Sequence, residues 1–208
     1  MKIIFVRHGH PDYENDCLTA LGHTQAEAAA NRLANEKPDR IFSSIKGRAY
    51  ETACHIAKKH NLDITMLEFM REIRWDENPW DMADRWVEEG KEIKSREWQK
   101  DDDFGGGVTV KYYNSVSESF DKWLESFGLV REGDYYRVTR ESDETIIIVS
   151  HGGSSSVVIS HIFNLPFTFM CHAIKPGFTS ITEVSFEGKK GQLTSPEFKL
   201  VNDSRHIM

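Results

Sequence analysis

Two short stretches of this chain put basic side chains where an open sheet would bind a ligand. Ile3-Ile4-Phe5-Val6 runs directly into Arg7-His8-Gly9-His10, and Ile146-Ile147-Ile148-Val149 runs into Ser150-His151-Gly152-Gly153. Apolar runs of this kind, rich in β-branched residues and closed by a glycine turn, are the pattern of strands buried on both faces. A buried strand that stops on Arg-His cannot leave those groups unpaired in an apolar interior, so its tip must open on a cleft where an anion can neutralise them. For Arg7-His8 alone, a solvated strand end is the competing reading. The same grammar at Ser150-His151 favours the cleft, because neighbouring parallel strands would bring His8 and His151 to one sheet edge. Arg48 joins them: Arg40-Ile41-Phe42-Ser43-Ser44 reads as another strand, Ser44 can cap the helix after it, and Arg48 falls in that helix's first turn. Two guanidiniums and two imidazoles, with helix N-termini following Ser44 and Gly152, suit a phosphoryl group. Its oxygens accept forked arginine bonds, and its phosphorus is open to a neutral imidazole nitrogen. A zinc site would need more closely spaced ligands, and an adjacent arginine would oppose the metal.

The elements that must position these residues follow in order. Behind the polar loop His10 to Asp16, Thr19 is a plausible N-cap, and Leu18, Leu21, Ala26, Ala29 and Leu33 mark one face of a helix. Ala49, Ala53, Ile56 and Ala57 give the buried stripe of the next helix, and residues 62–69 a further extended segment. Strand, helix, strand, helix is the order of a parallel sheet. Residues 75–107 change character: Trp75, Trp80, Trp86 and Trp98 stand among many acidic residues, and residues 101–107 (DDDFGGG) read as a hinge or a disordered flank. The tryptophans are expected to pack onto the sheet edge and roof the site, favouring small monophosphates over polyanions. Ser115 and Glu118 form a capping box opening a helix with Val116, Phe120, Trp123, Leu124 and Phe127 on its apolar face. A hairpin over residues 129–138, the strand ending on His151, a helix over 154–163 and two antiparallel strands over 179–186 and 192–201 complete the chain. The expected architecture is α/β: a mostly parallel central sheet in a three-layer sandwich with helices on both faces. It forms one domain over residues 1–208 with a lid-like insertion at about residues 75–138.

Composition narrows the function classes. A chain of 208 residues, 39% hydrophobic and carrying a net charge of −7, can bury one sizeable core, and its acidity argues against nucleic acid or an anionic membrane as partner. Ile3 to Val6 is too short for a signal-peptide core, and no run reaches membrane-span length, which points to a soluble, cytoplasmic protein. Cys17, Cys54 and Cys171 are odd in number and far apart, fitting neither a disulfide framework nor a metal knuckle. The expected partner is a small-molecule phosphate ester.

Arg7-His8-Gly9 at the end of the first strand, Leu18-Thr19-x-x-Gly22-x-x-Gln25-Ala26, Ser43-Ser44-x-x-x-Arg48-Ala49-x-x-Thr52-Ala53, Arg71-Glu72-Ile73 and Ser150-His151-Gly152-Gly153 occur in this order. Together they resemble the histidine phosphatase superfamily, with its phosphoglycerate mutase-like fold, over nearly the whole chain. The resemblance implies that His8 is the nucleophile that becomes phosphohistidine and that Arg7, Arg48 and His151 hold the phosphoryl oxygens. It implies that Glu72 protonates the leaving alkoxide and then activates water, with no metal or cofactor. A surface salt bridge to Arg71 or Arg74 is the other reading of Glu72. Many members carry an acidic residue, then Ser or Thr, and then an Asn touching phosphate. Here His10-Pro11 follows the glycine, leaving Asn15 and His10 as candidate phosphate contacts. Lys175 is a further cation whose position alone suggests it reaches the cleft.

The function so implied is metal-independent hydrolysis of small phosphate monoesters. Phosphoglycerate mutase-type transfer is the alternative within the fold, though the acid-rich insertion and the lack of an extra basic cluster favour hydrolysis. A non-catalytic phospholigand-binding module is the alternative from another class, and the intact set His8, Glu72 and His151 speaks against it.

Overall fold

Strand alternation sorts the core into two layers. In the computed structural model, which describes residues 1–208, β1 (Lys2–Arg7) sends Ile3 and Phe5 to one face of the sheet and Ile4 and Val6 to the other. The Ile4 and Val6 face packs against α1 (Ala20–Arg32) and α2 (Gly47–His60) through Ala30, Leu33, Ala49, Ala53 and Ile56. Small alanines on both helices let them lie close to the sheet. The Ile3 and Phe5 face carries the larger cluster, with Phe120 and Leu124 of α4 (Val108–Glu125) and Val157 and Val158 of α5 (Gly152–Ile162). Helices therefore cover both faces, as the near-continuous apolar strands require.

The six-stranded sheet has the order β11-β9-β1-β8-β4-β5, where β4 is Arg40–Ser44, β5 Ile64–Leu67, β8 Thr145–Ser150, β9 Ile181–Phe186 and β11 Pro196–Asp203. β1, β8, β4 and β5 pair in parallel, and β9 runs antiparallel to β1 and to β11. β1 and β8 are neighbours in register, with Arg7 opposite Ser150. The chain leaves β1 through α1 towards β4, but leaves β8 through α5 towards β9 on the other side. The crevice at their carboxyl ends is thus the switch point where open α/β sheets bind ligands. Two short strands, β2 (Pro11–Asp12) and β3 (Cys17–Leu18), shape the first loop. A small sheet of β6 (Leu129–Glu132), β7 (Tyr135–Val138) and β10 (Leu193–Thr194) contains the expected hairpin.

Several local expectations are corrected. α4 begins at Val108, not Ser115. The Asp76 carboxylate accepts from the Val108 and Thr109 N–H groups at 3.2 and 3.0 Å, so the helix is capped from a distant loop, and the Ser115/Glu118 pair lies inside it. The 101–107 tract is folded. Phe104 is buried among Trp86, Trp98 and other core residues, and the Asp103 carboxylate accepts from Lys91 at 2.8 Å and from Trp86 Nε1 at 2.5 Å. Trp86 and Trp98 belong to this core and not to the roof. Leu21 is 54% exposed, and the buried face of α1 is made by Ala26, Ala29 and Ala30. Lys46, not Ser44, occupies the N-cap position of α2.

At Gly9 and Gly22 the contact between the first loop and α1 leaves no room for a side chain. A Cβ on Gly9 would stand 2.5 Å from the Gly22 carbonyl oxygen, and one on Gly22 would stand 2.2 Å from that of His10. Backbone presses on backbone here, so no rotamer change relieves the clash. Gly22→Ala is expected to cost about 1–3 kcal/mol, read as a lowered urea midpoint with an unchanged m-value; an unchanged midpoint would show that the contact is not a constraint.

Candidate active site

His8 is held at the β1 tip by its backbone. Its N–H donates to the Ser150 carbonyl at 2.9 Å, and its own carbonyl accepts from Thr179 at 3.2 Å. The imidazole is fully buried, and Nδ1 lies 2.7 Å from the Gly9 carbonyl oxygen. A carbonyl can only accept, so Nδ1 carries the proton and Nε2 presents a lone pair. Arg48 Nε donates to that nitrogen at 3.4 Å. Burial, followed by the Arg7 and Arg48 charges, lowers the pKa of His8 to about 3. The ring is therefore neutral, and nucleophilic, at any physiological pH.

His151 stands beside it, with ring centres 5.1 Å apart in an edge-on arrangement. Its Nε2 lies 2.9 Å from Ser44 Oγ, and that hydroxyl also accepts from the Lys46 N–H at 3.3 Å. A hydroxyl hydrogen given to Nε2 leaves the His151 proton on Nδ1. That atom is buried without a partner and lies 3.9 Å from Glu72 Oε2. Burial, and then the charges of His8, Arg48 and Arg7, push the His151 pKa well down.

Each arginine is anchored through Nη1. Arg7 donates through Nη1 to the Pro176 carbonyl at 2.5 Å and lies over the Phe178 ring at 4.3 Å, while its Nε is buried without an acceptor. Arg48 is buried in the first turn of α2, where Asp16 pairs with its Nη1 and also accepts from the Gly47 N–H at 3.2 Å. Asp16 thus caps the helix and aims the guanidinium. Thr52 accepts from the Gly9 N–H at 3.1 Å, which joins α2 to the histidine loop.

Glu72 follows a 3-10 turn at Glu68–Met70 and tucks beneath Trp75 against the start of α5. A Cβ on Gly153 would meet the Trp75 ring at 2.0 Å and Glu72 Oε1 at 2.6 Å, so only glycine admits both. Burial raises the Glu72 pKa to about 7, against the opposing pull of the Ile73 N–H, Arg48 and Arg7. The surface salt bridge to Arg71 or Arg74 is not formed. Glu72 instead faces a cavity of about 420 Å³ bordered by Arg7, Tyr13, Trp75, Asn78, Trp80, Lys175 and Pro176.

Arg7, His8, Arg48, Glu72 and His151 therefore converge, whereas His10 and Asn15 do not. His10 Nδ1 is bonded to Thr19 Oγ1 at 3.0 Å, with its ring against Phe178, and the Asn15 amide donates to Asp12 at 2.8 Å on the surface. Asp16, Ser44 and Thr52 are additions, whereas Trp75 and Trp80 stand at the cavity as expected of the roof. Asp16 was hidden because its partner is 32 residues away, although the Ser43-Ser44 and Thr52 positions lay inside a quoted motif.

The donor atoms of His8, Glu72 and His151 lie within 4.8 Å of one another, a spacing that a metal ion could span. Arg7 and Arg48 direct two positive charges into the same space, and the unpaired groups around it include the Nε–H of Arg7 and the Nδ1–H of His151. The residues fit an anion with several acceptor oxygens, and not a cation.

Comparison with known proteins agrees with this geometry. Residues 3–198 match the model of the histidine phosphatase superfamily (branch 1). The chain is 28% identical over 172 residues to phosphoserine phosphatase 1 of Hydrogenobacter thermophilus, covering 73% of this chain and 71% of that one. It is 24% identical over 175 residues to glucosyl-3-phosphoglycerate phosphatase of Mycobacterium tuberculosis, covering 79% and 76%. Among solved structures, phosphoserine phosphatase from Entamoeba histolytica in complex with 3-phosphoglyceric acid superposes with a TM-score of 0.70 at 21% identity, covering 100% of this chain and 99% of that one. By the family match over nearly its whole length, with the family's motif residues gathered at one sheet edge, the chain belongs to the histidine phosphatase superfamily, branch 1.

Proposed function

We propose that the protein hydrolyses small phosphate monoesters through a phosphohistidine on His8. The observation that carries this reading is the neutral, oriented His8 Nε2 facing buried, unpaired donors on Arg7 and His151. A phosphoryl group seated there meets the lone pair with its phosphorus and those donors, together with Arg48, with its oxygens. Nε2 attacks phosphorus, the ester P–O bond breaks, and the departing alkoxide takes the Glu72 proton. The ionised Glu72 then removes a proton from water as its oxygen attacks phosphorus. The P–N bond breaks, and inorganic phosphate leaves with His8 neutral again. Loose phosphoryl transition states need positioning and positive charge most; Arg7 and Arg48 supply the charge, and the Nδ1–H of neutral His151 adds a positioned donor.

Membership of the superfamily and the names of its relatives support hydrolysis of small phosphorylated metabolites. The cavity wall supports it over mutase-type transfer. Its cations are Arg7 and Lys175, and a bisphosphorylated intermediate would need a second basic cradle. Trp75 and Trp80, from the segment over residues 75–138, pack edge-on with centres 5.5 Å apart and act as the roof limiting substrate size. No helix is long and apolar enough to cross a membrane. The three free cysteines fit a reducing cytoplasm, where we place the enzyme.

His8→Ala is expected to abolish hydrolysis of both aryl and alkyl phosphates, and chelators are expected to leave the wild-type rate unchanged. Residual turnover in the variant, or loss of activity with chelator, would contradict the mechanism.

For pH, the sign follows from the role of Glu72. It must be protonated to release an alkoxide, so kcat/KM for alkyl esters should fall as pH rises through about 7. His8 sets no limb until about pH 3. The substrate's own ionisation near pH 6 persists in any variant. Glu72→Gln should remove the alkaline fall and lower alkyl-phosphate turnover by roughly 10²- to 10⁴-fold, with a smaller loss for aryl phosphates, whose leaving groups need no proton. Equal losses for the two ester classes would reject Glu72 as the leaving-group acid.

A further inference from the structure

Away from Arg7, the cavity wall has one more cation. Lys175 lies in the loop after α6 (Phe167–Ala173), and its neighbour Pro176 supplies the carbonyl that accepts from Arg7 at 2.5 Å. The loop is pinned from β11 as well: Asn202 donates through Nδ2 to the Lys175 carbonyl at 3.1 Å, and its Oδ1 accepts from the Gly177 N–H at 3.0 Å. The backbone beneath Lys175 is therefore fixed within one residue of an arginine of the phosphate site, and the ammonium at the end of a flexible stem is the part free to choose a partner.

In this structure the partner is Asp84 of α3 (Pro79–Glu88), the helix whose first turn carries Trp80. Asp84 is held twice, because His172 Nδ1 also lies 3.0 Å from its other oxygen. The Lys175–Asp84 pair is largely solvent-exposed, the kind of ion pair that contributes little and exchanges partners readily. If Lys175 turns inward, Asp84 keeps His172. The exchange then leaves no carboxylate without a partner.

We propose that Lys175 is the specificity-determining residue that takes a carboxylate carried by the substrate next to its phosphate ester. The proposal rests on the hydrolase reading above and deepens it. With the phosphoryl group on Arg7, Arg48 and His151, the rest of a small ester extends into the cavity. Its walls there are the rings of Trp75, Trp80 and Tyr13, the Asn78 side chain and Lys175. A carboxylate a few bonds beyond the ester oxygen finds its only counter-charge in Lys175. The preferred substrates are compact phosphorylated carboxylic acids, and Asp84 is the internal carboxylate that such a group displaces.

Phosphoserine and phosphoethanolamine differ by the carboxylate alone, so the ratio of their kcat/KM values isolates it. Lys175→Met is expected to lower that ratio about tenfold, mainly through KM for phosphoserine; Lys175→Arg should retain most of it, and Asp84→Asn, which releases the lysine, should raise it. A ratio unmoved by Lys175→Met, or both substrates failing together, would overturn the assignment. Wild-type enzyme that hydrolyses an aryl phosphate but shows no preference for phosphoserine overturns this inference while the hydrolase reading stands. Wild-type enzyme that hydrolyses none of the three refutes the hydrolase reading, and this one with it.

Discussion

The structure depends on burying basic groups at the ends of two adjacent parallel strands without giving them an internal anion of equal charge. His8 and His151 are wholly shielded from water, Arg48 nearly so, and the nearest carboxyl of the cavity, Glu72, is itself pushed towards its neutral form. Desolvation is the first cause of the shifts at His8, His151 and Glu72, and the arginines add to it at both histidines. An enzyme built this way pays for catalysis in the resting state: the site is most comfortable when a multiply charged oxyanion fills it. The rest of the fold works to keep that arrangement from collapsing. Asp16 and the Pro176 carbonyl each restrain one arginine through Nη1, which limits how its remaining donors can turn.

How much of this could be read from sequence depends on whether the cause is local. The two strand ends are local, and their register, Arg7 against Ser150, follows from the parallel pairing that their apolar runs suggested. The first turn of α2 placed Arg48 correctly even though Lys46 stands at the N-cap. The failures come from partners that lie elsewhere in the chain. Asp76 starts α4 seven residues before the capping box at Ser115, because a carboxylate 32 residues upstream satisfies the first N–H groups. The acidic tract at 101–107 looked mobile because its counter-ion, Lys91, and its apolar anchor, Phe104 against Trp86 and Trp98, are legible only in three dimensions. Composition described these residues as a lid, but packing divides them, with Trp75 and Trp80 at the cavity and Trp86 and Trp98 in the core.

Glycine has two distinct roles at this site. Gly9 and Gly22 are required because two backbones touch there, which fixes the height of the histidine loop over α1. Gly153 is required because a carboxylate and an indole ring occupy the volume a Cβ would need. In the second case the missing side chain admits a chemical group, so the Gly152-Gly153 pair that reads as a helix start is also what lets Glu72 approach His151.

That approach sets the protonation logic of the site. Glu72 feels two opposing influences: burial under Trp75 raises its pKa, while Arg48 and Arg7 lower it, and burial prevails. A bound phosphate dianion changes only the second influence. It screens the arginines from the carboxyl and adds a like charge beside it, so the Glu72 proton is held more firmly in the substrate complex than in the empty site. In the proposed mechanism, transfer to the alkoxide would leave an ionised carboxylate next to the phosphohistidine, at the stage when a base for water is needed. The free alcohol can then leave and water can enter. On the proposed mechanism the same residue would serve as acid and then as base with no change in the fold, because phosphoryl transfer itself redistributes the negative charge that Arg7 and Arg48 respond to.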